Sequence, residues 1–522
     1  MAFACLVALA TFCVCAGFAS QKPNIVFILA DDYGWNDVGW NQIENVTTNH
    51  VIATPNIDAL ATDGVILDRM YVQPVCSPTR GALLTGRYPM HTGLGPRVIL
   101  TYRPYGLPAN ETLVSEILKD NGYYTAVVGK WHLGHCDPRY TPTYRGFDRF
   151  LGIYLGGSDY WDTKNEYTYN DTIYRAFSLF NSTAANTPAL PVFDRGNTTY
   201  ATDMYMAEVE RILTAHDSTQ APLFLYLPLQ STHGPFQAPQ EYMSMYDHIE
   251  DEGRRTYAGM VTAMDVFVGD VVNRLQAHGM WNNTLLVFVA DNGGAENANG
   301  NNYPLRGGKA DNWEGGVRVP AFVSGPLLND SVRGTKYDCM MHITDWLPTM
   351  LGFAGIDVPQ GLELDGYDHT DVLNGSVSKC PRKKMVISMC NDVYQRTYGA
   401  IIRGNWKLVH EGDFPGSLAL PASERTPPRG FSVPNETAPL SYDGWWLFNI
   451  INDPYEQTNI AERYPYALQT MIDEFNAYRA DAVVDLTIVY NQDDPLGNPH
   501  YLNNTHDTWS HLDGNICTCI GC

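Results

Sequence analysis

The chain has 522 residues, 44% of them hydrophobic and 17% charged, which fits a globular protein, excludes a disordered one and predicts two domains. Its formal net charge of −23 excludes nucleic-acid binding through the general surface. An anionic substrate would need a local cluster of cations, acting against the field of the whole molecule.

Residues 1–20 are apolar, uncharged and short for a membrane span, with small residues at their end. They read as a signal peptide cleaved near Ala19 or Ser20. No later run is long and apolar enough to span a bilayer. Ten Asn-x-Ser/Thr sequons follow, at Asn45, Asn110, Asn170, Asn181, Asn197, Asn282, Asn329, Asn374, Asn435 and Asn503. Together with the leader they predict a glycosylated protein of the secretory pathway, lysosomal or extracellular. Eight cysteines lie beyond the leader: Cys76, Cys136, Cys339, Cys380, Cys390, Cys517, Cys519 and Cys522. If Cys76 is reserved for chemistry, the odd remainder leaves at least one free or intermolecular thiol.

Four apolar runs lack alternation and read as strands buried on both faces of a parallel sheet: 24–30, 124–128, 223–227 and 285–290. Helix-like stretches between them, such as 112–119 and 257–275, complete an α/β sandwich. The first run ends in Asp31-Asp32. The second leads to Gly129-Lys130-Trp131-His132, and the third to Ser231-Thr232-His233. The fourth ends in Asp291-Asn292-Gly293-Gly294. Any one of these alone is ordinary capping or turn chemistry. Together they deliver acids, an amide, a lysine and histidines to one sheet edge, where open α/β sheets place their sites.

A second region begins near residue 385, with strands at 398–402, 406–409 and 445–449 and a Pro- and Ser-rich loop over 415–439. Leu468, Met471, Ile472, Phe475 and Tyr478 recur at helical spacing. The expected organisation is a signal peptide over 1–20, a catalytic domain over 21–385 and a C-terminal subdomain over 386–522. The subdomain carries a short antiparallel sheet, a helix and a Cys-containing tail.

Cys76-Ser77-Pro78-Thr79-Arg80 stands apart from these elements. A phosphatase-type Cys-Arg loop needs a longer intervening segment and more backbone donors. Here three residues intervene, and Pro78 removes one N–H. The segment instead resembles the sulfatase signature, in which the cysteine is oxidised to formylglycine during secretion. Residues 122–132, ending in Gly129-Lys130-Trp131-His132, resemble the second sulfatase signature. The likeness runs from Pro23 to about Tyr466, and within the sulfatases it is greatest to arylsulfatase B, the N-acetylgalactosamine-4-sulfatases. Thr79 stands where serine is commoner, and a hydroxyl is retained.

The resemblance implies an alkaline-phosphatase-like sandwich with a large mixed, mostly parallel sheet. It also implies a sulfuric ester hydrolase acting on a sulfated carbohydrate, and the formylglycine-generating enzyme as a partner during secretion. A hydrated aldehyde at position 76 would provide a hydroxyl nucleophile, and its second hydroxyl would expel sulfate. Asp31, Asp32, Asp291 and Asn292 offer only oxygen ligands, which select Ca²⁺ before Mg²⁺ and argue against zinc. By resemblance these four and position 76 hold one Ca²⁺ per subunit. The same resemblance places Arg80 beside the formylglycine and Lys130 and Lys309 on the sulfate. His132 would hold the hydrate, His233 would protonate the leaving alcohol, and Asp291 would take the proton of the attacking hydroxyl. His91, His135 and Arg306 are structural or substrate-rim candidates, and Ser158 is left unassigned. The competing readings are a phosphatase or phosphodiesterase on the same fold, and a catalytically silent binding protein.

Overall fold

A computed structural model of the protein describes residues 22–42, 51–169, 172–193, 199–389, 398–411, 443–490, 494–499, 502 and 505–508. The expected leader, the 415–439 loop, Cys390, Cys517, Cys519, Cys522 and the sequons at Asn45, Asn170, Asn197, Asn435 and Asn503 lie outside the described residues.

Ten strands build the large sheet. In chain order they are β1 (Asn24–Ala30), β2 (Val65–Leu67), β3 (Tyr124–Lys130), β4 (Arg149–Ile153), β5 (Leu179–Ser182), β6 (Leu190–Pro191), β7 (Leu223–Pro228), β8 (Thr284–Ala290), β9 (Ala321–Ser324) and β10 (Thr335–Tyr337). Their spatial order is β10-β2-β9-β8-β1-β7-β3-β4-β5-β6. The five central neighbours β8, β1, β7, β3 and β4 all run parallel. β9 and β5 flank them antiparallel. Every residue of β1, β7 and β8 is buried, the cause of their unbroken apolar sequence.

The helices include α1 (Cys76–Thr85), α2 (Val114–Asp120), α3 (Glu252–Ala277) and α4 (Pro465–Asp481). α3 begins five residues before the 257–275 stretch expected from apolar spacing. The Asp251 side chain accepts from the Arg254 N–H at 2.8 Å and caps that extra turn.

A second sheet holds β11 (Lys384–Ile387), β12 (Tyr398–Arg403), β13 (Trp406–Glu411) and β14 (Trp445–Asn449), antiparallel in chain order. Alternate residues serve two cores. Ile401, Leu408 and Leu447 pack with Leu468, Met471 and Phe475 of α4. Ile402, Val409 and Phe448 point the other way, onto Tyr71, Trp313 and Val317. This face presses the small sheet against the segments that carry the site.

Cys339 and Cys380 form a disulfide, and Cys136 is also disulfide-bonded. Cys76 is a buried free thiol. No helix among the described residues is long and apolar enough to cross a membrane.

Candidate active site

Ala30 lies directly across from Ala290 in the β1/β8 pairing, so Asp31 and Asp291 leave the sheet at the same level. β3 ends in Lys130, and β7 runs on into Ser231–His233. All four strand ends converge on Cys76, the first residue of α1. Its Sγ lies 3.5 Å from Asp31 Oδ1 and 3.6 Å from Asn292 Oδ1. Pro78 sits in the first turn of α1, where its missing N–H breaks no helical bond. The Thr79 hydroxyl donates to the Gln73 carbonyl at 3.1 Å and accepts from the Gln73 N–H at 3.0 Å. It thereby ties the approach loop to the helix, a task a serine hydroxyl would perform equally.

Three carboxylates, Asp31, Asp32 and Asp291, face three cations, Arg80, Lys130 and Lys309. Arg80, Lys130, Asp31 and Asp291 are fully buried and Asp32 nearly so. Arg80 donates through Nη2 and Nε to Asp291 Oδ2 at 2.7 and 3.1 Å, and through Nη1 to the Lys130 carbonyl at 3.0 Å. Lys130 Nζ bonds Asp31, and Lys309 Nζ bonds Asp32 Oδ2 at 2.7 Å. Asn292 Nδ2 donates to Asp32 Oδ1 at 2.8 Å.

Burial raises the Asp291 carboxyl to about 6, helped by the charge of Asp31 and opposed by Arg80. Burial also works against the charged form of Asp32, but the charges of Lys309 and Lys130 hold that carboxyl well below the usual range. Burial and then Asp291 push the Cys76 thiol far above its ordinary value. Burial therefore favours the protonated form of an unmodified Cys76.

The donor set suits a hard cation. Asp31, Asp32, Cys76 and Asp291 each offer one atom, and these lie within 4.8 Å of one another. Asn292 Oδ1 points at the same place. The thiol is the one soft ligand there, and an oxygen in its place would make the set all-oxygen.

The two histidines are held differently. His132, at a left-handed φ of 56°, has its Nε2 3.0 Å from the Ile99 carbonyl, while its buried Nδ1 makes no hydrogen bond among the described residues. Ile99 N–H in turn donates to the Ser77 hydroxyl at 3.1 Å, which links the signature segment to the ring. Burial, then Lys130 and Arg80, depress the basicity of His132. His233 Nδ1 is 2.7 Å from the Gly234 carbonyl, leaving Nε2 free, 3.9 Å from Asp32 Oδ2. Burial and then Lys309 lower His233 as well. Nδ1 is thus the donor and Nε2 of the neutral ring carries a lone pair.

The structure gathers Asp31, Asp32, Cys76, Arg80, Lys130, Asp291, Asn292 and Lys309 into one cluster with His132 and His233 beside it. The remaining candidates fall elsewhere. His135 is buried and stacked on Tyr154, His91 bridges Asp365 and Asp481, and the Arg306 guanidinium lies over the Trp313 ring. Ser158 is buried and donates to Gln230 Oε1 at 3.2 Å. Sequence reasoning passed over Gly156 and Gly157. A Cβ at Gly156 would stand 2.8 Å from the His132 ring, and one at Gly157 3.0 Å from His233 Nδ1. The paired glycines in the sequence were the available signal.

These features define a buried cluster of carboxylates and cations at the strand ends of an alkaline-phosphatase-like sandwich. The family model described as Sulfatase matches residues 23–356, and the chain belongs to the sulfatase family. It is 35% identical over 513 residues to arylsulfatase J of Mus musculus, covering 94% of this chain and 81% of that protein. It is 32% identical over 378 residues to N-acetylgalactosamine-6-sulfatase of the same species, covering 70% and 68%. The solved structure of Ps i-CgsB superposes with a TM-score of 0.70 at 30% identity, covering 89% of this chain and 94% of that one. The protein is therefore a sulfatase.

Proposed function

We propose that this sulfatase removes sulfate from a sulfated sugar, with residue 76 converted to formylglycine and one Ca²⁺ bound beside it. The observation that carries the reading is the buried set of three carboxylates and Asn292 converging on Cys76, matched by two buried cations, Arg80 and Lys130, and the partly buried Lys309. Asp31, Asp32, Asp291, Asn292 and the modified residue 76 would hold the ion, which would supply positive charge for orienting and polarising the sulfate. Formylglycine, as its hydrate, would supply the hydroxyl nucleophile that a protonated thiol cannot.

The chain's own residues do the rest. Lys130 and Lys309 hold the sulfate oxygens, and Arg80 fixes Asp291. Asp291, held by Arg80, accepts a proton at its oxygen from the attacking group. His132, whose Nε2 is tied to the Ile99 carbonyl, keeps its Nδ1 as an acceptor. His233 Nε2 delivers a proton to the leaving oxygen once the substrate's charge has raised its basicity.

Three carboxylates and three cations cancel, so a divalent cation held by the carboxylates would leave the site positive and attractive to an anionic ester, against the net charge of −23.

N-acetylgalactosamine 4-sulfate in glycosaminoglycans is the candidate unit, and the relative named for the 6-sulfate makes that isomer the comparison to run. We assign catalysis to residues 21–385 and support of the site to 386–522. The leader and sequons favour a lysosomal or extracellular location. The test is turnover of para-nitrophenyl sulfate and para-nitrophenyl phosphate by protein from a secretory host, before and after chelation. Faster sulfate turnover, lost to chelator and restored by Ca²⁺, is expected. Preference for phosphate or indifference to chelator would contradict the proposal.

A further inference from the structure

Lys407 is wholly buried on β13, far in sequence from the site. Its Nζ lies 2.9 Å from Glu314 Oε1 and 2.8 Å from Glu456 Oε1, both carboxylates also fully buried. The other Glu456 oxygen accepts the Glu314 backbone N–H at 2.7 Å. Tyr71 donates to Glu314 Oε2 at 3.0 Å. Buried charges of this kind are costly unless each has its partners, so the arrangement is geometrically strict. Glu456 is held at a left-handed φ of 54°, an uncommon conformation for that residue.

Glu314 leads directly into Gly315-Gly316. A Cβ at Gly315 would stand 2.1 Å from the Gly307 carbonyl, and one at Gly316 2.4 Å from the Gly308 carbonyl. The two glycines therefore lie flush against the turn whose next residue is Lys309. The Gly315 N–H also bonds the Arg306 carbonyl at 2.7 Å, closing the loop, and Arg306 Nη1 bonds the Glu456 carbonyl at 3.2 Å. Gly316 accepts from Gly293, the neighbour of Asn292, at 3.0 Å.

We infer that Lys407 and Glu456 of the C-terminal subdomain are positioning residues, which clamp Glu314 and through it set Lys309 for the substrate's sulfate group. The inference rests on the proposed role of Lys309. Glu456→Gln is the sharpest probe, because both carboxylate oxygens face donors and an amide can accept at only one of them.

The experiment measures para-nitrophenyl sulfate kinetics and competitive inhibition by inorganic sulfate in wild type, Glu456→Gln, Lys407→Met, Lys309→Ala and the Glu456→Gln/Lys309→Ala double variant. Glu456→Gln should raise KM and the sulfate inhibition constant together by about tenfold, with a smaller change in kcat, as expected for coupled neighbours in one network. The double variant should be no worse than Lys309→Ala alone. Lys407→Met should follow the same pattern if it folds; if it does not, the Glu456→Gln cycle decides. Unchanged constants in Glu456→Gln, or losses that add in the double variant, would overturn the clamp while leaving the function intact. A wild type that hydrolyses no sulfate ester would overturn both.

Discussion

At position 76 burial and Asp291 keep a thiol protonated, and its hydrogen bonds run to Asp31 and Asn292. The five-residue signature was legible because its parts are local: Pro78 and Thr79 serve one helix turn, and the hydroxyl need was met by threonine as by serine. The two histidine roles came from the family resemblance and not from residue spacing, since their difference lies in which ring nitrogen is tied to a backbone carbonyl. His233 is held neutral in the free protein by burial and Lys309, so its acid role needs a proton recruited with the anionic substrate. His233→Ala should slow alkyl sulfates by roughly 10²–10⁴-fold and aryl sulfates far less, because phenols leave without help. In wild type, kcat/KM for alkyl sulfates should rise as pH falls, more steeply than for aryl sulfates. Equal losses on both substrates would remove the general-acid assignment.

Among the elements, the central strands were readable because burial on both faces leaves an unbroken apolar run. The short strands β2, β6 and β10 gave no such signal, each being two or three residues long with mixed exposure or none to spare for a pattern. The clamp of Glu314, Lys407 and Glu456 was equally hidden: these residues meet only through packing of the small sheet on the large domain. Two glycines show how closely elements must approach. Gly129, at φ 133°, would drive a Cβ to 2.0 Å from the Pro228 carbonyl of the neighbouring strand. Gly156 faces the His132 ring in the same way. Gly156→Ala should therefore leave the fold intact but displace the ring, cutting kcat by at least tenfold in aryl sulfate assays with little loss of Tm. Unchanged kcat would mean the ring position is not critical.

For the molecule as a whole, the net charge of −23 makes the site's three cations the local exception that admits an anion. One contact across the molecule titrates in a useful range. His91 pairs with Asp365 at 2.7 Å and with Asp481 of α4 at 3.3 Å. The hydrogen bond to Asp365 raises the basicity of His91 above its unfolded value, against the effect of burial. Its stabilisation is fully present below the unfolded value, near 6.5, and is lost as pH rises through the folded value. His91→Gln should therefore cost about 1 kcal/mol at pH 5 and little at pH 8, read as a Tm difference that closes with rising pH. A gap of equal size at both would contradict the linkage. Whether residue 76 is still a thiol in the working enzyme is read from the mass of the tryptic peptide Met70–Arg80 of protein made in a secretory host. A peptide lighter by the exchange of H₂S for oxygen is expected; an unmodified cysteine peptide throughout, from enzyme that still hydrolyses sulfate esters, would rule formylglycine out.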